Sequence, residues 1–222
     1  MKIASASSLV CIGDSVTDCE RARPIGEGLF GAIGKGWVAQ VDALLMAAYP
    51  AHCIRVTNVG ISGNTVQSLA ERWQTDVLDL KPDWLSIMIG INDVWRQFDI
   101  PRQQAGVDLA AYERTYTDLL TRTRPTLKGL VLMTPYFIEA NPADAMRARM
   151  DQYGAVVRRL SQRFDAILVD TQAAFQAFLA HHHSAEIAWD RVHPNHIGHM
   201  ILARSFLNAV GFSWSGSAAQ SR

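Results

Sequence analysis

The amino-acid sequence predicts a three-layer α/β/α domain built on a mostly parallel five-stranded sheet. Two observations carry this. Five short apolar runs alternate with stretches whose apolar residues recur every three or four positions, the pattern of strands alternating with amphipathic helices. The strand-like runs also hold few polar residues, as strands covered on both faces require. The 222 residues suffice for one such domain, expected over 1–214. The closing stretch 215–222, "SGSAAQSR", has almost nothing to bury and is expected to be disordered.

The first strand, "SLVCIG" at 8–13, stops abruptly at Gly13, and a Gly-rich connection, "RARPIGEGLFGAIGKG", follows. Val38, Val41, Leu44, Leu45 and Ala48 then mark a helix over 36–48. "CIRVTNVG" (53–60) is a second strand, and "TVQSLAERWQTDVLDL" (65–80) a second helix, ended by Pro82. "DWLSIMIG" (83–90) is apolar enough for a central strand. A helix over 109–123 leads to the strand "KGLVLMTP" (128–135), and 144–164 is a long helix with an Arg-rich outer face. "AILVD" (166–170) is the fifth strand, and helices near 171–180 and 196–210 complete the order. No repeat or internal linker interrupts it.

Composition narrows the partners. Lys plus Arg equals Asp plus Glu at 21 each, so no net charge draws the chain to nucleic acid or an anionic membrane, which favours a neutral small ligand. The three cysteines are odd in number and lack metal-ligand spacing. Cys11 and Cys53 fall in apolar runs and are expected to be small core residues. No run is long enough to span a bilayer, and the apolar run near the N-terminus is too short for a secretion signal. A cytoplasmic protein is expected.

In parallel sheets, ligands bind at the carboxyl ends of the strands. Four segments there carry chemistry. Ser15 follows the first strand in "CIGDSVTD". Gly60, Gly63 and Asn64 follow the second in "NVGISGNT", and Gly90, Asn92 and Asp93 are expected in the loop after the third, "IGINDVW". Asp190 and His193 stand three apart in "WDRVHPNH". A serine hydroxyl needs a neighbouring base to become nucleophilic, a role for His193 with Asp190 fixing its tautomer. An acyl-transfer oxyanion also needs donors, and the N–H of Ser15, the N–H of Gly63 and the Asn92 amide qualify.

The other polar residues read differently. Asp14 and Asp93 are expected to shape loops. His193, His196 and His199 have H-x-x-H-x-x-H spacing, but Pro194 breaks the segment and no carboxylate or cysteine cluster completes a shell. No metal and no cofactor is therefore expected, and His196 and His199 read as packing or cap residues. His181, His182 and His183 read as solvated surface. Trp95 and Trp189 flank the candidate site and are the candidate substrate-binding residues: a bulky ring shortens an acyl pocket and offers a flat face to a sugar.

These segments resemble the SGNH hydrolases, also called GDSL esterases and lipases. Their four blocks appear in order as Gly13-Asp14-Ser15-Val16, Gly60-Ile61-Ser62-Gly63-Asn64, Gly90-Ile91-Asn92-Asp93 and Asp190-Arg191-Val192-His193. Val16 stands where that family has Leu or Ile. The resemblance implies a flavodoxin-like fold, Ser15 as nucleophile, Gly63 and Asn92 completing the oxyanion hole, and Asp190 and His193 completing the triad. More narrowly, "GDSVTDCERARPIGEG", "KPDWLSIMIGINDVWRQFD", "MTPYFIEAN", "MDQYG" and "AWDRVHP" resemble the bacterial acetylxylan esterases of this superfamily that lack a secretion signal. That implies a serine esterase removing O-acetyl groups from xylo-oligosaccharides or related sugars through an acetyl-enzyme. Rival readings are a lipid-directed esterase, lysophospholipase or thioesterase and, more remotely, a non-catalytic carbohydrate-binding protein. The expected partners are an acetylated oligosaccharide and further copies of the chain, with no nucleic acid and no membrane.

Overall fold

Strands β1 (Ser8–Gly13), β2 (Arg55–Asn58), β3 (Trp84–Met88), β4 (Gly129–Met133) and β5 (Ile167–Val169) form one sheet in the order β2-β1-β3-β4-β5. The computed structural model describes residues 1–214, without the side chains of 102–104, so the expectation for 215–222 lies outside the described residues. Every strand pair is parallel, sharpening the expected "mostly parallel" sheet. β1, β3 and β4 are buried almost throughout, matching their apolar composition.

The helices are α1 (Ser15–Asp18), α2 (Trp37–Ala48), α3 (Val66–Trp73), α4 (Ile91–Phe98), α5 (Leu109–Thr123), α6 (Ala145–Arg163), α7 (Thr171–Leu179) and α8 (His196–Ala209). Most begin at a side-chain cap. Asp108, Asp144, Asp170 and Asn195 each accept a first-turn N–H, and Thr65 and Ser68 form a reciprocal capping box on α3. Such a cap contributes about 1 kcal/mol. The segment expected as one helix over 65–80 is α-helical only to Trp73 and widens into a π turn at Gln74–Leu78.

Strand order reverses between β1 and β3, and right-handed crossovers then put the connecting helices on opposite faces. α2 packs on α8, which also meets α7 and β5; α3 packs on α5, and α6 on α4 and α5. The core therefore lies in two apolar layers flanking the sheet. Trp37 and Phe206 pack together in one, and Trp73 in the other donates its indole N–H to Thr123 Oγ1 at 2.7 Å. Cys11 is buried as expected. Cys53 is not: it ends a short 3₁₀ turn in a left-handed conformation and is exposed, so its apolar neighbours misrepresent it. Among the described residues no helix is long and apolar enough to cross a membrane.

Gly129 shows how tightly the sheet is covered. A Cβ there would stand 2.3 Å from the ring of Trp84, its partner in register on β3. Gly129→Ala is expected to destabilise the protein by about 1–3 kcal/mol through overpacking. Urea unfolding measures this, and an unchanged midpoint would contradict the packing described.

Candidate active site

β1 ends where it must. A Cβ at Gly13 would meet the carbonyl oxygen of Met88 at 2.4 Å and Thr17 Oγ1 at 2.4 Å, so the chain can turn there only with glycine. Asp14 follows as the cap of α1, its Oδ1 accepting the Val16 N–H at 3.1 Å. This bears out its reading as a scaffold residue and leaves Ser15 as the first residue of the helix. The Ser15 N–H finds no acceptor among the described residues.

Ser15 Oγ lies 2.9 Å from His193 Nε2, and His193 Nδ1 lies 2.6 Å from Asp190 Oδ2. A carboxylate only accepts, so Nδ1 carries the proton and Nε2 is free to accept from the serine. Asp190 Oδ1 also accepts the N–H groups of Val192 at 2.9 Å and His193 at 2.8 Å. Burial alone would push the Asp190 carboxyl up. The hydrogen bonds from the His193 ring and from the two backbone N–H groups outweigh it and hold the group below the usual carboxylate value. Asp190 is thus an anion tied to one imidazole.

Arg191, which sequence reasoning left without a role, holds this turn together with Tyr136 and Phe137. Arg191 sits in the left-handed region at φ 61°, which lets the chain wrap around the Asp190 carboxylate. Its guanidinium stacks over Phe137 at 4.7 Å and pairs with Glu139 at 2.6 Å. Tyr136 is buried and donates its hydroxyl to the Val192 carbonyl at 3.0 Å. Tyr136 and Phe137 therefore anchor the turn from below. Their place just after an apolar strand was the available signal.

The loop after β2 runs alongside. Gly63 is at φ 80° and its N–H has no acceptor among the described residues. Asn92 and Asp93, expected in a loop, instead occupy the first turn of α4, because Gly90 at φ 134° starts that helix without a side-chain cap. Asn92 donates one amide hydrogen to the Asn64 carbonyl at 3.0 Å, which leaves its second. Asp93 caps a different helix, accepting the Val66 N–H of α3 at 3.0 Å.

The aromatic candidates separate. Trp95 meets the His193 ring edge-on, with centroids 5.8 Å apart, whereas Trp189 is 87% exposed beside Asp190. The three spaced histidines diverge. His196 is exposed, and buried His199 accepts the Trp37 N–H at 3.2 Å, capping α2. That bond leaves the His199 proton on Nε2, facing Cys19 Sγ at 3.5 Å. Burial, aided by the nearby His193, lowers the His199 pKa to about 4. A neutral His199 with Nε2 already protonated cannot serve Cys19 as a base. His181, His182 and His183 are exposed, with His182 stacked on Phe178.

A serine–imidazole–carboxylate relay at the carboxyl edge of a parallel sheet, beside unused N–H donors, defines an ester hydrolase. The chain belongs to the GDSL-like Lipase/Acylhydrolase family, whose pattern matches residues 11–201. It is 56% identical over 215 residues to the acetylxylan esterase of Geobacillus stearothermophilus, spanning 96% of this chain and 98% of that one. The crystal structure of that esterase, Axe2, superposes with a TM-score of 0.95 at 55% identity over the whole of both chains. LAE5, an alpha/beta hydrolase enzyme from the metagenome of Lake Arreo, Spain, matches with a TM-score of 0.93 at 54% identity, covering 95% of this chain and 98% of that chain.

Two further carboxyls lie beneath the site. Burial raises the pKa of both Asp14 and Asp93 to about 7. The unfolded chain loses these protons near the ordinary aspartate value of 3.8, so between pH 4 and 7 the native state binds more protons and stability falls as pH rises. Asp93→Asn keeps the acceptor for Val66 and mimics the protonated acid. The stability of this variant relative to wild type is expected to increase from pH 4.5 to 7.5, by up to about 1.4 kcal/mol per pH unit. Urea unfolding across that range reads it; a constant difference would contradict the assignment.

Proposed function

We propose that this ester hydrolase removes O-acetyl groups from xylo-oligosaccharides, with Ser15 as nucleophile, His193 as general base and acid, and Asp190 orienting the imidazole. The relay of 2.9 Å and 2.6 Å contacts is the observation that carries the roles. The identity to the Geobacillus acetylxylan esterase supports the substrate.

Ser15 Oγ attacks the acetyl carbonyl carbon and its proton passes to His193 Nε2. The carbonyl oxygen becomes an oxyanion, accepted by the N–H groups of Ser15 and Gly63 and by the second amide hydrogen of Asn92. Each such donor supplies roughly 3–4 kcal/mol of transition-state stabilisation. Collapse breaks the bond to the sugar oxygen, which takes the proton from His193. Water, deprotonated by the same nitrogen, then attacks the acetyl-enzyme, and acetate leaves as Ser15 regains its proton.

Trp95 supports a short acyl group, because its ring stands against His193 and narrows the space beside the nucleophile. Trp189 supports a sugar, because its exposed indole gives a pyranose an apolar face next to Asp190. The free cysteines Cys11, Cys19 and Cys53 support a reducing compartment, the cytoplasm. Exposed Leu29, Phe30, Met46, Ile100 and Trp214 support association with further copies of the chain. Light scattering is expected to give a mass above the 24.5 kDa of one chain, and a monomer at micromolar concentration would contradict association.

The decisive assay follows acetyl loss from acetylated xylo-oligosaccharides by mass spectrometry. Wild type is expected to shed acetate, and Ser15→Ala to lose at least about 10³-fold in rate. Hydrolysis of p-nitrophenyl acetate without deacetylation of the sugars would remove the xylan substrate. Faster turnover of p-nitrophenyl octanoate than of the acetate would favour a lipid-directed esterase. Failure of Ser15 to react with a fluorophosphonate would overturn its role as nucleophile.

A further inference from the structure

The loop from Val59 to Thr65 can be followed one peptide unit at a time, asking what each carbonyl accepts and each N–H donates. The Val59 carbonyl accepts from Arg72 at 2.7 Å, and the Gly60 N–H donates to Asn58 Oδ1 at 2.9 Å. The Gly60 carbonyl accepts from Arg21 Nε at 2.8 Å, and the Ile61 N–H donates to the Gly13 carbonyl at 3.1 Å. The Ile61 carbonyl accepts the Asn64 N–H at 3.2 Å, and the Ser62 N–H donates to Asp18 Oδ2 at 2.9 Å. The Gly63 carbonyl accepts from the Arg96 guanidinium, and the Asn64 carbonyl from the Asn92 amide at 3.0 Å. The Thr65 N–H donates to Ser68 Oγ at 3.3 Å.

One unit differs. Among the described residues, the peptide between Ser62 and Gly63 is bonded at neither end. Its N–H is the Gly63 group assigned to the oxyanion. The unit before it is pinned by Asp18 and the unit after it by Arg96 at its carbonyl and by Ile61 at its N–H, so the free peptide is held through its two neighbours. Gly63 at φ 80° has no Cβ to resist rotation, and orientation must therefore come from these pins. The Asp18 pin sits on α1, behind the nucleophile. The Arg96 pin sits on α4, one helical turn beyond Asn92, so one helix both supplies a donor and fixes the loop that supplies another.

We propose that Arg96 is a positioning residue of the oxyanion hole: by holding the Gly63 carbonyl it keeps the neighbouring Gly63 N–H aimed at the reacting oxygen. This rests on the serine-esterase reading above, and among the described residues Arg96 makes no hydrogen bond to Ser15. A donor that is present but misaimed is lost mainly in the transition state, where charge develops, and little in ground-state binding.

The test compares wild type, Arg96→Met and Arg96→Lys with p-nitrophenyl acetate and follows phosphonylation of Ser15. Arg96→Met is expected to lower kcat at least about tenfold with KM within about twofold, and to slow phosphonylation in parallel. Arg96→Lys, which can still donate to the Gly63 carbonyl, is expected to recover to within about fivefold of wild type. Arg96→Met with kcat within about twofold of wild type, or with an effect on KM alone, would overturn the proposal, as would a lysine variant no better than methionine. If Arg96→Met does not fold, Arg96→Ala takes its place and is read by the same outcomes: kcat and phosphonylation falling together while KM holds carry the proposal, and an unchanged kcat overturns it. Absence of esterase activity in wild type would instead count against the functional reading itself.

Discussion

Everything at this site depends on how closely two stretches of backbone approach. Residues 58–63 lie directly against residues 13–18, and a Cβ at Gly60 would come within 2.3 Å of the Asp18 nitrogen. Asn58 stitches the contact, donating its amide to the Thr17 carbonyl at 2.7 Å and the Ile33 carbonyl at 2.9 Å. Backbone can come this near backbone only where a side chain is missing and every displaced polar group finds a partner. The approach sets the glycine loop beside the serine. α4 then fixes the far side of that loop, and the Asp190–His193 turn, seated on Tyr136, closes the third side. The chemistry is therefore carried by backbone as much as by side chains.

Burial divides the carboxylates by task. Asp190 is partly buried but receives three hydrogen bonds, so it stays ionised and can balance a charged imidazole. Asp14 and Asp93 are wholly buried and accept only backbone N–H groups, with no side-chain donor among the described residues, so burial prevails and both hold protons well above the usual range. The same functional group serves as anionic partner in one place and as helix cap in two others. What differs is the number of donors it meets.

The strands and most helix starts were legible because their signals are local: a continuous apolar run, or an Asp or Asn just before a periodic stretch. The serine, glycine and asparagine blocks were legible because each follows a strand, whereas the histidine block follows α7 and was legible from its own D-x-x-H spacing. α4 was not, since Gly90 starts it with no capping side chain and Asn92 and Asp93 are poor helix formers. Asp93 resembles a cap of its own segment, but its partner is the N–H of Val66, 27 positions away. Arg96, Arg191 and the anchoring role of Tyr136 were missed for a related reason. Each acts on a carbonyl, ring or acid distant in sequence, and an arginine on a helix carries no mark of which carbonyl it will reach. Cys53 misled because apolar neighbours do not reveal a left-handed residue facing water.

The serine and its histidine stand 178 positions apart. A chain whose two segments have not met can display Ser15 and yet lack the base proposed for it. Until then the hydroxyl is as inert as any surface serine. Competence in the proposed mechanism is therefore a property of the folded chain as a whole, since neither segment carries it alone.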